Sequence, residues 1–279
     1  MLNSSLYRKI RMYIYKIPRF FNRFFYNRSH FILVNSFPKS GTHLLYQLFS
    51  NQNFLKDYHT FIASMPSINK ASLDENIIIN KLNNSIENEI IRSHIYYSDN
   101  VEYFFKKNNC INFFIYRDPR DVVISEANYL YDMNKWHRLH KYYRNLSNLN
   151  DRILFSILGN DYINTDIEYP NINERYNKYI GWINSNECFS IKYEDLITNQ
   201  KDTIEQIANH FEKKCIHDID LNEFIKNAIS NINPQKSHTF REGGTSKWKK
   251  YFTEYHKTLF KEKTGDLLVK LGYEKNNEW

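Results

Sequence analysis

The hydrophobic positions of this chain form short apolar runs that alternate with longer segments of helical periodicity. Four runs rich in β-branched and aromatic residues predict strands at residues 31–36, 89–93, 111–116 and 188–193. Helices are predicted between and after them, at residues 42–51, 119–131, 174–184, 200–211 and 254–270. Because this alternation is typical of βαβ units, we predict an α/β fold, a single domain whose mostly parallel sheet of about five strands is flanked by helices.

Three chemically reactive stretches each fall at the end of a predicted strand. The sequence "FPKSGTH" at residues 37–43 follows the first strand, "SH" at 93–94 follows the second, and "RDPRD" at 117–121 follows the third. The carboxyl ends of parallel strands lie at one edge of the sheet, where α/β folds bind their ligands. We therefore expect these three stretches to meet in one site.

The "FPKSGTH" turn has the properties of an anion-binding turn. Gly41 lets the backbone approach a ligand closely, and the helix predicted after it offers free N–H groups to an anion. Ser40 and Thr42 add hydroxyl donors, and Lys39 adds a mobile positive charge. A Walker A motif has its lysine after the last glycine, whereas Lys39 precedes the only glycine here. The turn is P-loop-like without being a Walker A motif, and an ordinary strand-to-helix turn is the alternative.

A second candidate phosphate-binding element is Arg117 with Ser125, eight residues apart in "RDPRDVVIS". Pro119 suits the first turn of a helix. An arginine with a neighbouring hydroxyl is a good phosphate clamp. The alternative is a structural ion pair between Arg117 and Asp118 or Asp121.

The positive charge of the chain is concentrated in residues 1–30. The net charge is +7, and this arm holds seven basic residues and no acidic ones. The other 31 basic residues, 38 minus 7, balance the 31 acidic residues. Cations alternate with aromatics in the arm, with a kink expected near Pro18. This predicts either an interfacial helix on an anionic membrane or a solvated arm whose aromatics pack on the domain.

The rest of the composition limits the classes of function. Residues 31–279, the predicted domain, have no net positive charge, so we expect no nucleic-acid partner. Cys110, Cys188 and Cys215 form no Cys-x-x-Cys pair, which is typical of a reducing compartment and argues against a zinc site. No apolar run approaches the ~18 residues of a membrane span, and no secretory signal is visible. We expect a cytoplasmic protein, and the membrane-binding alternative would place its arm at the inner membrane face.

These motifs resemble those of the sulfotransferases that use 3′-phosphoadenosine 5′-phosphosulfate (PAPS). "FPKSGTH" matches the family turn that binds the 5′-phosphosulfate, and Arg117 and Ser125 match the pair that binds the 3′-phosphate. "REGGTSKWK" at 241–249 corresponds to a third family element, and "YEDL" at 193–196 matches a stretch whose Tyr193 lies near the adenine. The resemblance spans residues 31–272 and implies PAPS as the donor cosubstrate, with no metal.

The resemblance also implies which residues bind the donor. They are Lys39, Ser40, Gly41, Thr42, His43, Arg117, Ser125, Tyr193, Arg241, Glu242 and Gly243. Glu242 stands where the family usually has lysine, and Lys247 is expected to return the lost charge. Ser246 replaces a glycine, and Leu44 replaces an aromatic that stacks on adenine in cytosolic animal enzymes. We expect these departures to change the affinity for the donor rather than the family to which the chain is similar.

His94 is the candidate base of the reaction. In the family's Lys-Thr-His motif, the histidine deprotonates the acceptor hydroxyl and the basic residue two positions earlier lies near the transferring group. "RSH" assigns these roles to His94 and Arg92. An unperturbed imidazole titrates near pH ~6.5 and accepts a proton at neutral pH. Some membrane-bound relatives use a glutamate early in the first helix, but residues 42–53 contain no acidic residue.

Residues 126–165 predict a long helical excursion that shapes the acceptor side of the site. Its basic and aromatic members are Lys135, Trp136, His137, Arg138, His140, Lys141, Tyr142, Tyr143 and Arg144. A basic aromatic surface suits a glycan or glycolipid acceptor, and a solvated charged face over an aromatic core is the alternative. Two other classes of function stay open. They are a P-loop-type nucleotide-dependent kinase, which would need the Walker lysine that is missing here, and a catalytically inactive membrane-surface binding protein.

Overall fold

A five-stranded parallel sheet forms the centre of the molecule. A computed structural model describes residues 14–15, 17–25, 30–233 and 244–279. The sheet order is β2-β3-β1-β4-β5, and every pairing between neighbours is parallel. The strands are β1 (Ile32–Ser36), β2 (Phe61–Ala63), β3 (Ile90–His94), β4 (Ile111–Tyr116) and β5 (Cys188–Lys192). The predicted α/β fold with about five strands is confirmed, and β2 is the strand that the sequence pattern did not predict.

Helices connect the strands and cover both faces of the sheet. Beyond the N-terminal segment, the described α-helices are, in chain order, α1 (Thr42–Phe49), α2 (Glu75–Leu82), α3 (Asp99–Lys107), α4 (Pro119–Asn128), α5 (His140–Arg144), α6 (Leu149–Leu158), α7 (Ile172–Asn177), α8 (Gly181–Asn184), α9 (Tyr193–Thr198), α10 (Gln200–Lys214), α11 (Leu221–Asn231), α12 (Trp248–Tyr251), α13 (Glu254–Thr264) and α14 (Leu267–Lys270). A π-helix spans Tyr129–Met133, and a 3-10 helix spans Gly159–Asp161.

Three predicted helices differ from the observed ones. The helix predicted at 119–131 leaves α-helical geometry after Asn128 and continues as the π-helix. The predicted helix 174–184 is divided into α7 and α8. The predicted helix 254–270 is divided at Gly265, whose φ of 52° ends α13.

The hydrophobic core lies on both faces of the sheet. Along β1, Leu33 faces one buried cluster while Ile32 and Val34 face the other. All residues of β1 and β4 are buried. A strand that is buried on both faces has no solvent-facing side, so polar and apolar residues do not alternate along it. This explains why these strands appear in the sequence as nearly continuous apolar runs.

The N-terminal segment is fixed to the domain by an ion pair. Residues 14–15 and 17–22 are helical. Arg19 donates from Nε to Glu89 Oε1 at 2.7 Å and from Nη2 to Oε2 at 3.1 Å, and Glu89 is fully buried. Five of the seven basic residues of the predicted arm, Arg8, Lys9, Arg11, Lys16 and Arg28, lie outside the described residues. None of the described helices combines the length and the apolar character needed to cross a bilayer.

Candidate active site

The "FPKSGTH" turn connects β1 to α1 through strained backbone. Lys39 has a φ of 69° and Gly41 a φ of 100°, in the left-handed region that favours glycine. The N–H groups of Gly41 and Thr42 donate no hydrogen bond to any residue that the structure describes. The first turn of α1 contains no acidic residue. These N–H groups and the positive end of the helix dipole can therefore accept an anion.

A cavity of about 840 Å³ opens at the carboxyl edge of the sheet, next to this turn. This volume lies near the upper end of the range for sites that hold drug-sized ligands, ~300–1,000 Å³. Nine residues singled out from the sequence line it, and they are Lys39, Gly41, Thr42, His43, Arg92, His94, Arg117, Ser125 and Tyr193. Leu44 and Lys247 line it as well. Residues from all three strand-end stretches therefore lie together in one cavity, as expected from the sequence.

Among the predicted donor-binding residues that the structure describes, Ser40 does not line this cavity. The side chain of Ser40 is fully buried and absent from the lining, so its role as a hydroxyl donor to the ligand stays a prediction. Its backbone N–H donates to the carbonyl of Phe37 at 3.2 Å, which closes the turn. Arg241, Glu242 and Gly243 lie outside the described residues.

His94 is held at the end of β3 by the end of β1. Its Nδ1 lies 2.9 Å from the carbonyl oxygen of Ser36 and 3.0 Å from Ser36 Oγ. A carbonyl only accepts, so Nδ1 carries the proton and Nε2 has a free lone pair. Burial lowers the pKa of His94 to about 4, and the nearby charge of Lys39 lowers it too. The ring is therefore neutral at pH 7, as expected, but less basic than an ordinary histidine.

The side chain of Lys39 lines the cavity and extends to the π-helix. Its Nζ lies 3.6 Å from the centre of the Tyr129 ring, a cation–π distance. Burial lowers the pKa of Lys39 to about 7, while Glu126 raises it and Arg117 lowers it. A lysine with this pKa exchanges its proton near neutral pH, so a bound anion can fix it in the charged form.

Arg92 donates one hydrogen bond to a backbone carbonyl, and its Nε has no hydrogen-bond partner among the described residues. Its Nη2 donates to the carbonyl of His59 at 3.3 Å, and its guanidinium lies 4.7 Å from the Tyr46 ring. The buried Nε has no hydrogen-bond partner among the described residues. The guanidinium therefore retains a donor for a ligand.

Arg117 forms one of the ion pairs that the sequence left open, and it also lines the cavity. Its Nη2 donates to Asp121 Oδ2 at 3.3 Å and to the carbonyl of Gly244 at 3.0 Å, and its guanidinium lies 4.5 Å from the Tyr193 ring. Asp121 Oδ1 also accepts from the N–H of Trp248 at 2.9 Å. The ion pair thus fastens the chain near residues 244–248 to the start of α4 while Arg117 still lines the cavity.

The excursion 126–165 separates into a cavity wall, an outer surface and a core. His137 and Arg138 line the cavity, whereas Trp136 is 81% exposed. Tyr143 is fully buried, with its hydroxyl 2.6 Å from Ser156 Oγ and 2.7 Å from the Tyr169 hydroxyl. The prediction of one basic aromatic surface is wrong for Tyr143, because packing in the core uses its ring.

Sequence reasoning missed several residues of the site. Ser36 bridges His94 and Thr42, and the signal that could have found it is its place at the end of the first strand. Glu126 and Arg175 form a partly buried ion pair on the cavity wall, and no local motif marks Arg175. In the described part of the chain, no three His, Cys, Asp or Glu side chains are grouped so that they could hold a metal ion.

The family of the chain follows from comparison with known proteins. A family model described as the sulfotransferase domain matches residues 29–272. The chain belongs to the sulfotransferase domain family. The resemblance inferred from the motifs is thereby confirmed. No curated protein matches the chain.

Solved sulfotransferase-type structures share the fold at low identity. Mouse sulfotransferase SULT7A1 complexed with PAP has 18% identity and a TM-score of 0.59, with 89% of each chain covered. Retinol dehydratase in complex with androsterone and inactive cofactor PAP has 17% identity and a TM-score of 0.53, over 85% of this chain and 80% of that one. The same enzyme with retinol and PAP has 17% identity and a TM-score of 0.54, over 85% and 81%.

Proposed function

We propose that this sulfotransferase moves the sulfuryl group of PAPS to an acceptor hydroxyl, on a glycan or glycolipid, with His94 as the base. One observation carries the proposal: the anion-binding turn, the Arg117–Ser125 pair and His94 all line the same cavity. The PAP-bound proteins that share the fold support PAPS as the donor. No metal is part of the proposal.

The residues that line the cavity supply two separate anion sites for the donor. The free N–H groups of Gly41 and Thr42, with Lys39, would hold the 5′-phosphosulfate. Arg117 and Ser125 would hold the 3′-phosphate, with Tyr193 beside the adenine. Arg241, Glu242 and Gly243 belong to the proposal on the resemblance alone.

The reaction proceeds by in-line displacement at sulfur. The acceptor oxygen forms a bond to sulfur while the bond from sulfur to the bridging oxygen breaks, and PAP leaves with the electron pair. The hydroxyl proton passes to His94 Nε2. Lys39 and Arg92 neutralise the charge that grows on the leaving oxygen and the transferring group. The bound donor brings negative charge near His94, which raises the pKa of the imidazole during the reaction.

The direct test of this chemistry is His94→Ala, measured with radiolabelled sulfate donor over crude glycolipid and polysaccharide fractions. We expect turnover to be abolished and PAP binding to remain nearly intact. His217→Ala is the matched control, because this histidine is partly exposed and does not line the cavity. Normal turnover in His94→Ala would remove this residue from the base role.

Two further outcomes would point to the other classes of function. Transfer of the γ-phosphate of ATP without any sulfate donor would establish a kinase. Binding of PAP with no label in any acceptor fraction would establish a catalytically inactive binding protein.

We also propose that the chain is divided into an arm, residues 1–30, and a domain, residues 31–279. The arm would contact a membrane peripherally, and the protein would lie in the cytoplasm at the inner membrane face. The arm's aromatics Phe20, Phe21, Phe24 and Phe25 are between 56% and 80% exposed, so they do not pack on the domain. An exposed aromatic group beside basic residues suits an anionic lipid surface.

Vesicle sedimentation tests this contact. We expect the full chain to bind vesicles that contain phosphatidylserine, and Phe20→Ser with Phe24→Ser and Phe25→Ser to weaken the binding at least about tenfold. Tyr103→Ser removes an aromatic residue that is 67% exposed elsewhere on the surface and should leave binding unchanged. Equal binding by all variants would remove the arm from this role.

A further inference from the structure

A second charged cluster lines the cavity away from the proposed donor-binding residues. Glu126 lies on α4, Glu168 follows the 3-10 helix, and Arg175 lies on α7. Arg175 Nη1 donates to both carboxylate oxygens of Glu126, at 2.9 and 2.7 Å. Lys178 Nζ donates to Glu168 Oε1 at 2.5 Å. Each of these two carboxylates therefore has a cation of its own.

Arg138 is the third cation of this cluster, and it has no carboxylate partner among the described residues. Its Nη1 donates to the carbonyl of Pro66 at 2.7 Å, which is a neutral acceptor. Its buried Nε has no hydrogen-bond partner in the described part of the chain. The guanidinium lines the cavity. The pKa of Arg138 is lowered, chiefly by burial, which is the direction expected of a cation that lacks a bound counter-charge.

The charges of the cluster leave one positive charge without an anion. Arg138, Arg175 and Lys178 contribute three positive charges, and Glu126 and Glu168 contribute two negative ones, so three minus two leaves one. A cation that loses hydration gains most from an oxyanion, and a guanidinium can bind a carboxylate or phosphate through two parallel hydrogen bonds.

The donor does not account for this charge. Under the proposed function, the two anionic groups of PAPS are bound by the FPKSGTH turn and by Arg117 with Ser125, while Arg92 lies near the transferring sulfuryl group. Arg138 instead follows the π-helix, at the excursion that we expect to contact the acceptor. Its backbone N–H donates to the carbonyl of Ser67 at 2.8 Å, so both ends of the residue are fixed to the loop after β2.

We infer that Arg138 binds an oxyanion, a carboxylate or a phosphate, that the acceptor carries near the hydroxyl to be sulfated. The acceptor class is then an anionic hydroxyl compound rather than a neutral one. This inference rests on the proposed function, because the ligand in question is the acceptor. The Tyr96 and Tyr169 rings line the same cavity and supply apolar surface for the body of the acceptor.

The test uses three sugars that differ only at carbon 6: glucose, glucuronate and glucose 6-phosphate. Their dissociation constants are measured by saturation-transfer NMR on the full chain saturated with PAP, so that the donor's anion sites are occupied. We expect at least one anionic sugar to bind about tenfold or more tightly than glucose. The glucuronate and phosphate arms distinguish the two sources of negative charge.

Variants then assign the preference to one side chain. Arg138→Gln should bring the anionic sugar to the affinity of glucose, and Arg138→Lys should keep most of the preference. Lys141→Gln is the matched control, because it removes the same charge from a side chain that is 65% exposed and outside the cavity lining. Equal affinity for the three sugars, or a preference that survives in Arg138→Gln, overturns the inference.

Binding of PAP is measured first in every variant. Failure of the wild-type chain to bind PAP contradicts the proposed function, whereas intact PAP binding without an anionic preference contradicts only the inference about Arg138. If Arg138→Gln does not fold, Arg138→Met takes its place, because it also removes the charge while keeping an apolar stem, and a preference for the anionic sugar that survives in this variant overturns the inference.

Discussion

The carbonyl of Ser36 fixes the tautomer of His94. The carbonyl oxygen of Ser36 lies 2.9 Å from His94 Nδ1. The Ser36 hydroxyl lies 3.0 Å from the same nitrogen and 2.6 Å from Thr42 Oγ1. The two residues end adjacent parallel strands, so the register of β1 with β3 brings them together. A hydrogen-bonded chain thus runs from the first residue of α1, through Ser36, to the proposed base.

Ser36→Ala removes the hydroxyl of this residue and keeps its backbone carbonyl, so it tests the contribution of the hydroxyl alone. The carbonyl remains, so Nε2 keeps its lone pair, but the ring and Thr42 each lose a hydrogen bond. We expect kcat to fall about tenfold, the value of one buried hydrogen bond, with a smaller change in the donor KM. Steady-state rates with the donor concentration varied measure both constants. A loss confined to the donor KM would mean that Ser36 acts on the donor-binding turn through Thr42 and not on His94.

The pKa of His94 predicts an unusually acidic limit of activity. The protonated ring cannot accept a proton, so activity falls as pH decreases through the pKa. The groups around the ring are the Ser36 oxygens, the Phe61 ring at 5.1 Å and the charge of Lys39, and burial lowers the pKa to about 4. The acid limb of kcat/KM, which reports the free enzyme, should therefore lie near pH 4 and well below that of an ordinary histidine.

The limb of kcat should lie at higher pH than that of kcat/KM, because the bound donor raises the pKa of the imidazole. Steady-state rates between about pH 3 and about pH 8 measure both limbs. An inflection of kcat/KM near pH ~6.5 would show that His94 is hydrated in the free enzyme.

Lys39 should take up a proton when the donor product binds. Its pKa in the free protein is about 7, and the phosphate of PAP raises it by stabilising the charged form. At pH 8 binding should then take up about 0.9 proton, and above pH 7 the affinity should fall up to about tenfold per pH unit. Calorimetry in buffers of different ionisation enthalpy measures the uptake. Lys39→Met should abolish it, and an unchanged uptake in that variant would assign the proton elsewhere.

The sequence predicted those parts of the fold and site that depend on local pattern. The runs at β1 and β4 are apolar because both faces of each strand are buried, so four strands could be found. Strand β2 has three residues, too few for a periodic signal. Lys39 and Gly41 belong to one turn whose chemistry is visible in its own residues.

The rest of the site depends on contacts between distant parts of the chain. Ser36 and His94 are 58 residues apart, and Arg138 and Pro66 are 72 apart. No local pattern encodes such a pair, because the register of the sheet and the path of the excursion create it. The lowered pKa of His94 has the same origin, since the burial that lowers it comes from tertiary packing.

Gly41→Ala should impair donor binding beyond the cost of backbone strain. A Cβ at this position would lie 2.7 Å from Tyr193 Cδ2 and 3.3 Å from Ile115 Cδ1, and the φ of 100° disfavours any side chain. Strain alone should lower the free energy of unfolding by about 1–3 kcal/mol. Displacement of the Tyr193 ring, which also contacts Arg117, should weaken PAP binding at least about tenfold.

Gly265→Ala provides the matched control for this substitution. Gly265 also has a positive φ, of 52°, but an added Cβ would meet no atom within 4 Å. It should lose a similar free energy of unfolding while its affinity for PAP stays unchanged. Denaturant unfolding and calorimetric titration with PAP measure the two quantities. If both variants keep wild-type affinity, Tyr193 does not position the donor, and the Gly41 backbone tolerates a side chain beside the bound phosphate.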